Sequence, residues 1–209
     1  MKTTHTPRFQ QLLGYAKRFI VITIASAFCI ESFAQAQTIK TVKKQKSVVA
    51  KKSARPINTK DNLWHVITAD FKLGEYSRNP KVQKQLLWFA SHPKEVKALF
   101  NRATPYLYYV YTQIKQRNMP GEFVLLPMVE SGYKPFAYSH TGASGIWQMM
   151  PATASSYGLD INWWYDSRRD IVTSTEAALD YLVRLNKNYK DWEIAIASYN
   201  VGMGNIRKA

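Results

Sequence analysis

A helical spacing of apolar residues runs through the chain after its first 60 residues, and it limits the fold more than any other feature. Asn79 has the side chain of a helix N-cap, and Pro80 suits the first helical turn after it. Apolar residues then recur three and four positions apart, which places Val82, Leu86 and Phe89 on one face. No convincing alternation of apolar and polar residues indicates a strand. The sequence therefore predicts a mostly α fold.

Proline, glycine and capping side chains mark the limits of the other predicted helices. Pro93 is expected to end the helix that begins at Pro80. The further predicted helices are 94–103, 105–120, one from Pro151 to Gly158, one capped by Ser174, and one from a cap at Asp191 to Gly202.

The first 36 residues have the three parts of a secretory signal. Lys17 and Arg18 form a charged flank, residues 19–30 form an apolar core, and residues 34–36 form a small-x-small cleavage site. The apolar core would span about 18 Å as a helix, which is less than a hydrocarbon layer of about 30 Å. We therefore expect an exported, periplasmic protein, with association to the outer membrane or cell wall. An uncleaved anchor and a lipid acceptor at Cys29, the only cysteine, are the alternatives.

The formal charge of +15 is concentrated near the N-terminus. Residues 37–60 carry eight basic groups and no acid, whereas residues 61–209 carry a net charge of only +4. Segment 37–60 is therefore predicted to be a solvated, disordered basic linker. It could contact an anionic wall or membrane surface, or act as a spacer extended by self-repulsion. A nucleic-acid partner would rest on this charge alone, and none is expected.

An apolar stretch from Phe123 to Val129 ends in the carboxyl group of Glu130. Burial disfavours an ionised carboxyl and raises its pKa, and the negative end of a helix dipole acts in the same direction. A carboxylic acid that keeps its proton near neutral pH can give that proton to a glycosidic oxygen. Glu130 is therefore a candidate general acid, although a lone glutamate near a helix end is more often capped or partly exposed.

Two blocks of sequence resemble the lysozyme-like lytic transglycosylases of bacterial cell walls. The first block, ESGYKPFAYSHTGASGIWQMMPATASSYGL, covers residues 130–159, and the second, AIASYNVGMGNIRKA, covers residues 195–209. The family pattern includes Glu-Ser, Gly-Ala-x-Gly, an apolar pair, Gln, Met-Pro-x-Thr-Ala and a separate Tyr-Asn. Four further segments are similar to the membrane-bound lytic murein transglycosylase D group: 61–67, 79–93, 102–110 and 163–182. The resemblance implies a lysozyme-like transglycosylase fold preceded by N-terminal helices.

The resemblance also implies roles for individual residues. Glu130 matches the catalytic acid of the family. Five residues are expected to contact the substrate or to orient the acid: Ser131, Ser139, Gln148, Tyr199 and Asn200. Each has an ordinary structural alternative, which is a local hydrogen bond at a helix end or in a loop, or, for the tyrosine, a buried ring.

Other residues of the first block have positions that favour backbone turns or packing. Gly142, Ala143 and Gly145 are expected to let the backbone turn tightly and approach the sugar. Trp147 and Met149 could contact sugar, but core packing is at least as good an explanation for these apolar side chains.

The implied reaction uses one acid. The next carboxyl after Glu130 is Asp160, and Asp166 and Asp170 are interpreted as partners of neighbouring arginines or as caps, so no second carboxyl is evident for a hydrolytic scheme. The family cleaves the β-1,4 bond between N-acetylmuramic acid and N-acetylglucosamine in peptidoglycan and leaves 1,6-anhydro ends. The alternatives are a goose-type lysozyme-like hydrolase and a non-catalytic peptidoglycan-binding protein.

The expected domain organisation is a signal peptide (1–36), the basic linker (37–60), an N-terminal helical region (61–120) and a catalytic domain (121–209). The transglycosylase D group usually continues with more helix and peptidoglycan-binding LysM repeats, so a missing C-terminal part is also an expectation. The four histidines, His5, His65, His92 and His140, show no metal-ligand spacing. We expect neither a metal nor another cofactor.

Overall fold

The structure, a computed structural model, describes residues 63–74, 76 and 78–202. Its helices are α1 (Leu63–Ala69), α2 (Pro80–Ser91), α3 (Pro93–Gln116), α4 (Leu126–Glu130), α5 (Pro151–Ser156), α6 (Ile171–Tyr189) and α7 (Trp192–Val201), with 3₁₀ turns at Gly121–Leu125 and Ser167–Arg169. Within the described ranges there are isolated β-bridges but no strands. The predicted mostly α fold is confirmed. The predicted signal peptide (1–36) and basic linker (37–60) lie outside the described residues.

Helix α2 has the cap and the apolar face that its sequence predicts. The side chain of Asn79 accepts a hydrogen bond from the backbone N–H of Lys81 at 2.9 Å. Val82 and Leu86 are buried, and Phe89 packs against them. Val82 and Leu86 form a small apolar cluster of their own, and Phe89 packs against both this cluster and the main core.

The prediction of two separate helices over 94–103 and 105–120 is wrong, because a single helix, α3, runs through both segments. Pro93 lies at the start of α3. A backbone N–H at this position has no acceptor within the helix, so a proline there costs no hydrogen bond. Pro105 lies inside the helix and loses one such bond. The buried face continues on both sides of Pro105, through Ala103 and Leu107, and this packing holds the helix together across the proline.

Helix α6 begins earlier than the predicted cap at Ser174. Asp170 is the N-cap, and its carboxylate accepts a hydrogen bond from the N–H of Thr173 at 2.8 Å. Ser174 is fully buried one turn into the helix, where its hydroxyl donates to the carbonyl of Asp170. Ser174 is not the cap of α6, because its own N–H already donates to the carbonyl of Asp170 inside the helix. The prediction for α7 is confirmed, since Asp191 caps its N-terminus and Gly202 follows its last residue.

One apolar core joins the N-terminal helices to the rest of the described chain. It includes Ile67 from α1, Leu107 and Ile114 from α3, Leu182 from α6 and Ile196 from α7. The apolar stretch before Glu130 lies in the middle of this core, because residues 121–128 are all buried. The predicted N-terminal region (61–120) and the predicted catalytic domain (121–209) therefore share one core where the structure describes them.

A buried arginine fixes the long loop between α4 and α5. Arg168 is only 3% exposed and forms two hydrogen bonds of 2.8 Å with the carboxylate of Asp166. Its Nη1 donates to the carbonyls of Gly142, at 2.6 Å, and Met149, at 3.0 Å. Burial raises the pKa of Asp166, but the hydrogen bonds and charge of Arg168 outweigh it and leave the pKa below its ordinary value. The predicted pairing of Asp166 with an arginine is confirmed.

Gly145 allows the loop to approach this arginine closely. Its φ is +79°, and a Cβ atom at this position would lie 1.8 Å from the carbonyl oxygen of Arg168. The sequence suggested that this glycine lets the backbone approach a sugar. The structure shows one such close approach, which is contact between the loop and the Ser167–Arg169 turn, and approach to a sugar stays a prediction.

We expect Gly145→Ala to lower the free energy of unfolding by at least about 3 kcal/mol, because the new methyl group overlaps a carbonyl in a packed region. Gly158→Ala is the matched control, since Gly158 has a φ of +78° but no atom within 4 Å of the added Cβ. That variant carries only the backbone strain of about 1–2 kcal/mol. Urea unfolding of both proteins measures the difference. Equal losses would contradict a steric role for Gly145.

Candidate active site

Glu130 is the last residue of α4 and lies at the boundary between the core and solvent. Its Oε1 atom is buried and has no hydrogen-bond partner among the described residues. Burial raises the pKa of the Glu130 carboxyl to about 7. An unpaired oxygen in an apolar setting favours the neutral acid, because the ionised form loses its hydration without gaining a donor.

Burial is the cause of the raised pKa of Glu130. Helix α4 has five residues and follows a 3₁₀ turn, so few aligned peptide units precede the carboxyl. A contribution of the helix dipole to the pKa, which the sequence suggested, stays a prediction.

Two neighbouring backbone carbonyls bring the candidate residues together. The hydroxyl of Ser131, next to Glu130, donates to the carbonyl of Ile146 at 2.9 Å. The hydroxyl of Tyr199, on α7, donates to the carbonyl of Trp147 at 2.7 Å. Helix α4, the loop and α7 therefore meet at one place in the fold.

Tyr199 is close enough to Glu130 for their charges to interact. Burial raises the pKa of the Tyr199 phenol well above its ordinary value, and the charge of Glu130 raises it further. The phenol therefore stays neutral and acts as a hydrogen-bond donor over the whole physiological range. A role for Tyr199 in substrate contact stays a prediction, but its place beside the acid is a feature of the structure.

Gln148 turns its amide into the loop. Its Nε2 donates to the carbonyls of Gly145, at 2.9 Å, and Ala137, at 3.2 Å, and its backbone adopts a φ of +48°. Its Oε1 accepts no hydrogen bond from the described residues. A polar amide in this apolar segment needs a partner, and two loop carbonyls provide it. The amide oxygen is the part of Gln148 that a substrate could still use.

The other two polar candidates also have local partners. The Oγ atom of Ser139 accepts a hydrogen bond from the N–H of Ala143 at 2.9 Å and lies 3.0 Å from the hydroxyl of Thr141. The Nδ2 atom of Asn200 donates to the carbonyl of Ile196, one turn back in α7, at 3.1 Å. These bonds define the loop and the helix end, and substrate contact by Ser139 and Asn200 stays a prediction.

Trp147 and Met149 are core residues rather than sugar contacts. Trp147 is fully buried, and its Nε1 donates to the hydroxyl of Thr175 on α6 at 2.9 Å. Met149 is 2% exposed. Between them, Gln148 is only partly buried and has a left-handed backbone conformation.

Sequence reasoning missed two further tyrosines, which form a row of rings with Tyr199. The ring of Tyr181 lies 5.5 Å from the rings of both Tyr199 and Tyr157. The hydroxyl of Tyr157 is buried and has no hydrogen-bond partner in the described part of the chain. In the sequence both residues look like ordinary apolar-face positions of α6 and the end of α5. The packing of α6 against both α5 and α7 brings the three rings together.

Two of the acids that follow Glu130 in the sequence have other partners. Asp166 is paired with Arg168, and Asp170 caps α6. Across the described ranges, no three acidic, histidine or cysteine side chains form a group that could hold a metal ion. Neither Asp166 nor Asp170 is therefore free to serve as the second carboxyl of a hydrolytic scheme.

A helical fold with one buried acid at the end of a short central helix defines a lysozyme-like class of protein. Residues 103–209 match the family described as the transglycosylase SLT domain. The chain belongs to this family. The match begins inside α3, and the domain boundary predicted at residues 120 and 121 stays a prediction.

Three relatives illustrate the extent of the similarity. Membrane-bound lytic murein transglycosylase D of Escherichia coli K12 is 42% identical over 149 residues, which are 71% of this chain and 33% of that protein. A protein of Alteromonas sp. (strain M-1), named for a provisional role in tributyltin chloride resistance, is 46% identical over 109 residues, 52% of this chain and 53% of the relative. Membrane-bound lytic murein transglycosylase F of Desulfosudis oleivorans is 36% identical over 87 residues, 38% of this chain and 18% of the relative. The chain spans about a third of the length of the transglycosylase D relative it matches.

Two of these relatives are membrane-bound by name. In the part of this chain that the structure describes, no helix has the length and apolarity needed to cross a membrane.

We expect Glu130→Gln to stabilise the protein at alkaline pH. The folded pKa of about 7 lies above the ordinary value of 4.5. Between these values the folded state binds more protons than the unfolded state, so stability falls as the pH rises. Removal of the carboxyl should raise the free energy of unfolding by up to about 3 kcal/mol at about pH 8 and change it little at about pH 4.

Urea unfolding at the two pH values tests this expectation. Glu95→Gln, at an exposed position in the first turn of α3, is the matched control and is expected to give no comparable gain. A loss of stability at about pH 8 in Glu130→Gln would mean that the carboxylate is stabilised in the folded protein.

Proposed function

We propose that this chain is a peptidoglycan lytic transglycosylase that cleaves the β-1,4 bond between N-acetylmuramic acid and N-acetylglucosamine without water. One observation carries this proposal: Glu130 has a buried oxygen without a hydrogen-bond partner among the described residues, and burial raises its pKa to about 7. Two-carboxyl hydrolysis needs a second carboxyl within about 5–10 Å, and two acids that follow Glu130 in the sequence, Asp166 and Asp170, are already engaged with an arginine or with a helix end. Membership of the transglycosylase SLT family and the name of the transglycosylase D relative support the same reaction.

In the first step, the neutral carboxyl of Glu130 donates its proton to the oxygen that links the two sugars. The bond between this oxygen and C1 of the muramic sugar breaks, and the oxygen leaves as the C4 hydroxyl of N-acetylglucosamine. The acetamido group of the muramic sugar can stabilise the developing positive charge at C1. A pKa near 7 suits this step, because the acid holds its proton at neutral pH and still gives it up readily.

In the second step, the Glu130 carboxylate takes the proton of the muramic C6 hydroxyl. The C6 oxygen attacks C1 and forms the 1,6-anhydro ring, so the acid regains its proton and no water enters the product. Intramolecular attack competes well with water, because correct orientation can contribute about 7–11 kcal/mol. Tyr199 and Ser131 position the acid in this scheme by tying α7 and α4 to adjacent loop carbonyls.

We also propose that the protein acts outside the cytoplasm, on the glycan strands of the cell wall. The signal pattern in residues 1–36 and the membrane-bound relatives support this location. Electrostatic contact between the basic segment 37–60 and an anionic wall or membrane surface would keep the enzyme near its substrate. Both segments lie outside the described residues.

We expect Glu130→Gln to release no soluble muropeptides from isolated sacculi, with a fall in rate of at least about 100-fold, because the amide cannot donate the proton. Mass spectrometry of the wild-type products should show ends that are one water lighter than hydrolytic ends. Circular dichroism and sacculus binding serve as controls for the fold of the variant. Reducing ends would indicate a lysozyme-like hydrolase, and wild-type binding without any release would indicate a non-catalytic wall protein.

The pH dependence of cleavage gives a separate test. Because the reaction requires protonated Glu130, kcat/KM should fall about tenfold per pH unit above the pKa of about 7. Initial rates on soluble glycan strands between about pH 5 and pH 9 measure this limb. A profile that stays flat to about pH 9 would exclude a general acid with this pKa.

A further inference from the structure

The solvent-facing side of α2 combines basic and apolar residues. Val82 and Leu86 are buried, so the helical repeat of about 3.6 residues places Lys84, Leu87 and Trp88 on the other side. Lys84 is exposed, and Leu87 and Trp88 are 69% and 45% exposed. They follow Lys84 by three and four positions, which makes them its neighbours on the helix surface. These three residues form the outer face of α2, and none of them belongs to the candidate active site.

Trp88 is fixed in its exposed position. Its ring stacks on the ring of His92 with 4.2 Å between the ring centroids, and it meets Phe89 edge-on at 5.4 Å. The Nδ1 atom of His92 also lies 2.8 Å from the carbonyl oxygen of Trp88. A side chain that is already ordered loses little conformational entropy when it enters an interface. The outer face therefore presents a preformed aromatic contact.

Positive charge is concentrated in and around α2. Residues 78–102 contain six basic residues and one acid, Glu95, and α2 itself contains no acid. Residues 103–209, by contrast, contain ten basic residues and nine acids, so their charges nearly cancel. The basic segment 37–60 also precedes α2 in the sequence. Exposed apolar side chains and an excess of cations therefore occur together in one part of the molecule.

An anionic lipid surface matches both properties of the outer face. Each basic group close to such a surface strengthens binding about fivefold. Tryptophan and leucine side chains enter the boundary between headgroups and acyl chains, where an indole has apolar surroundings on one side and water on the other. A hydrated anionic polymer would attract Lys84 but would leave Leu87 in water. The apolar pair therefore favours a membrane over a polymer.

We propose that the outer face of α2 docks the protein on an anionic phospholipid membrane, with Leu87 and Trp88 at the headgroup boundary and Lys84 among the headgroups. Two apolar side chains and nearby cations give a reversible contact rather than permanent insertion. This surface is separate from the proposed glycan chemistry, because α2 holds none of the candidate site residues. Glu130→Gln should therefore bind vesicles like the wild-type protein.

Cosedimentation of the whole chain with vesicles tests this surface. We expect tighter binding to vesicles that contain phosphatidylglycerol than to vesicles of pure phosphatidylcholine. The preference should weaken at about 1 M salt, where the Debye length is about 3 Å and contacts between exposed charges are largely screened.

Lys84→Glu should weaken binding to the anionic vesicles about 30-fold, because it removes one attractive charge and adds one repulsive charge. Lys187→Glu is the matched control, since it makes the same change at an exposed position in the last turn of α6. Helix α6 passes the far end of α3, where Asp180 pairs with Arg117 about 36 Å from Pro93. We expect this control to weaken binding less than about threefold, because charges more than about 8 Å from the surface are largely screened at physiological salt.

Tryptophan fluorescence detects the contact directly, whether or not the N-terminal segments also hold the chain on the vesicle. No tryptophan precedes Trp64, so those segments give no signal. With brominated phosphatidylglycerol as the quencher, we expect Trp88→Phe to bind nearly as tightly as wild type and to lose most of the quenching. Trp163 is 80% exposed but lies in a segment, 161–165, without a basic residue. Trp163→Phe is therefore the control and should keep the quenching.

Leu87→Gln separates a lipid surface from a charged polymer. It keeps the charge of the outer face and should weaken binding to the anionic vesicles about tenfold, because an apolar side chain no longer enters the boundary. Unchanged vesicle binding in this variant would overturn the membrane assignment. Weakened binding of Lys84→Glu to isolated sacculi, with vesicle binding unaffected, would overturn it in favour of a wall polymer.

Two other results would also overturn the assignment. Equal losses in Lys84→Glu and Lys187→Glu would show that net charge alone accounts for binding. Quenching that persists in Trp88→Phe would show that the lipid touches a different part of the protein. Circular dichroism of each variant checks that the fold is retained.

Discussion

A buried guanidinium holds the loop on which the candidate site depends. Arg168 is nearly inaccessible, and Asp166 neutralises its charge while the carbonyls of Gly142 and Met149 accept hydrogen bonds from its Nη1. Such a charge is tolerated in a protein interior only when it is paired and hydrogen-bonded in this way. The loop it fixes presents the two carbonyls that anchor the ends of α4 and α7. Without that anchorage, the acid and the tyrosine beside it would have no fixed relation.

Burial gives the carboxyl its chemistry. Residues 121–128 occupy the centre of the core, so the chain leaves the core at Glu130 with one carboxyl oxygen still enclosed. The neutral acid is favoured there because no donor from the described residues compensates for lost hydration. A paired carboxylate in the same fold shows the contrast, since hydrogen bonds from Arg168 hold the pKa of Asp166 low despite partial burial. At neutral pH, Asp166 is therefore ionised, whereas about half of the Glu130 carboxyls keep their proton.

Local sequence signals predicted the parts of the fold that depend on neighbouring residues. The Asn79 and Asp191 caps are where their side chains indicate, because a cap needs only the next two or three N–H groups. The signals failed where the core overrides them. Pro105 did not divide α3, because a continuous buried face spans it, and Ser174 did not cap α6, because Asp170 precedes it and the serine faces the core.

The sequence alone determined that the chain is mostly helical, that Glu130 ends an apolar segment, and that its motif resembles a cell-wall glycan-cleaving family. These conclusions follow from spacing and residue type, which are local properties. The tertiary structure decided which distant residues meet around the candidate site: Tyr181 between Tyr199 and Tyr157, and Gly145 against the carbonyl of Arg168. Such neighbours come from distant positions in the chain, and only packing of the helices brings them together.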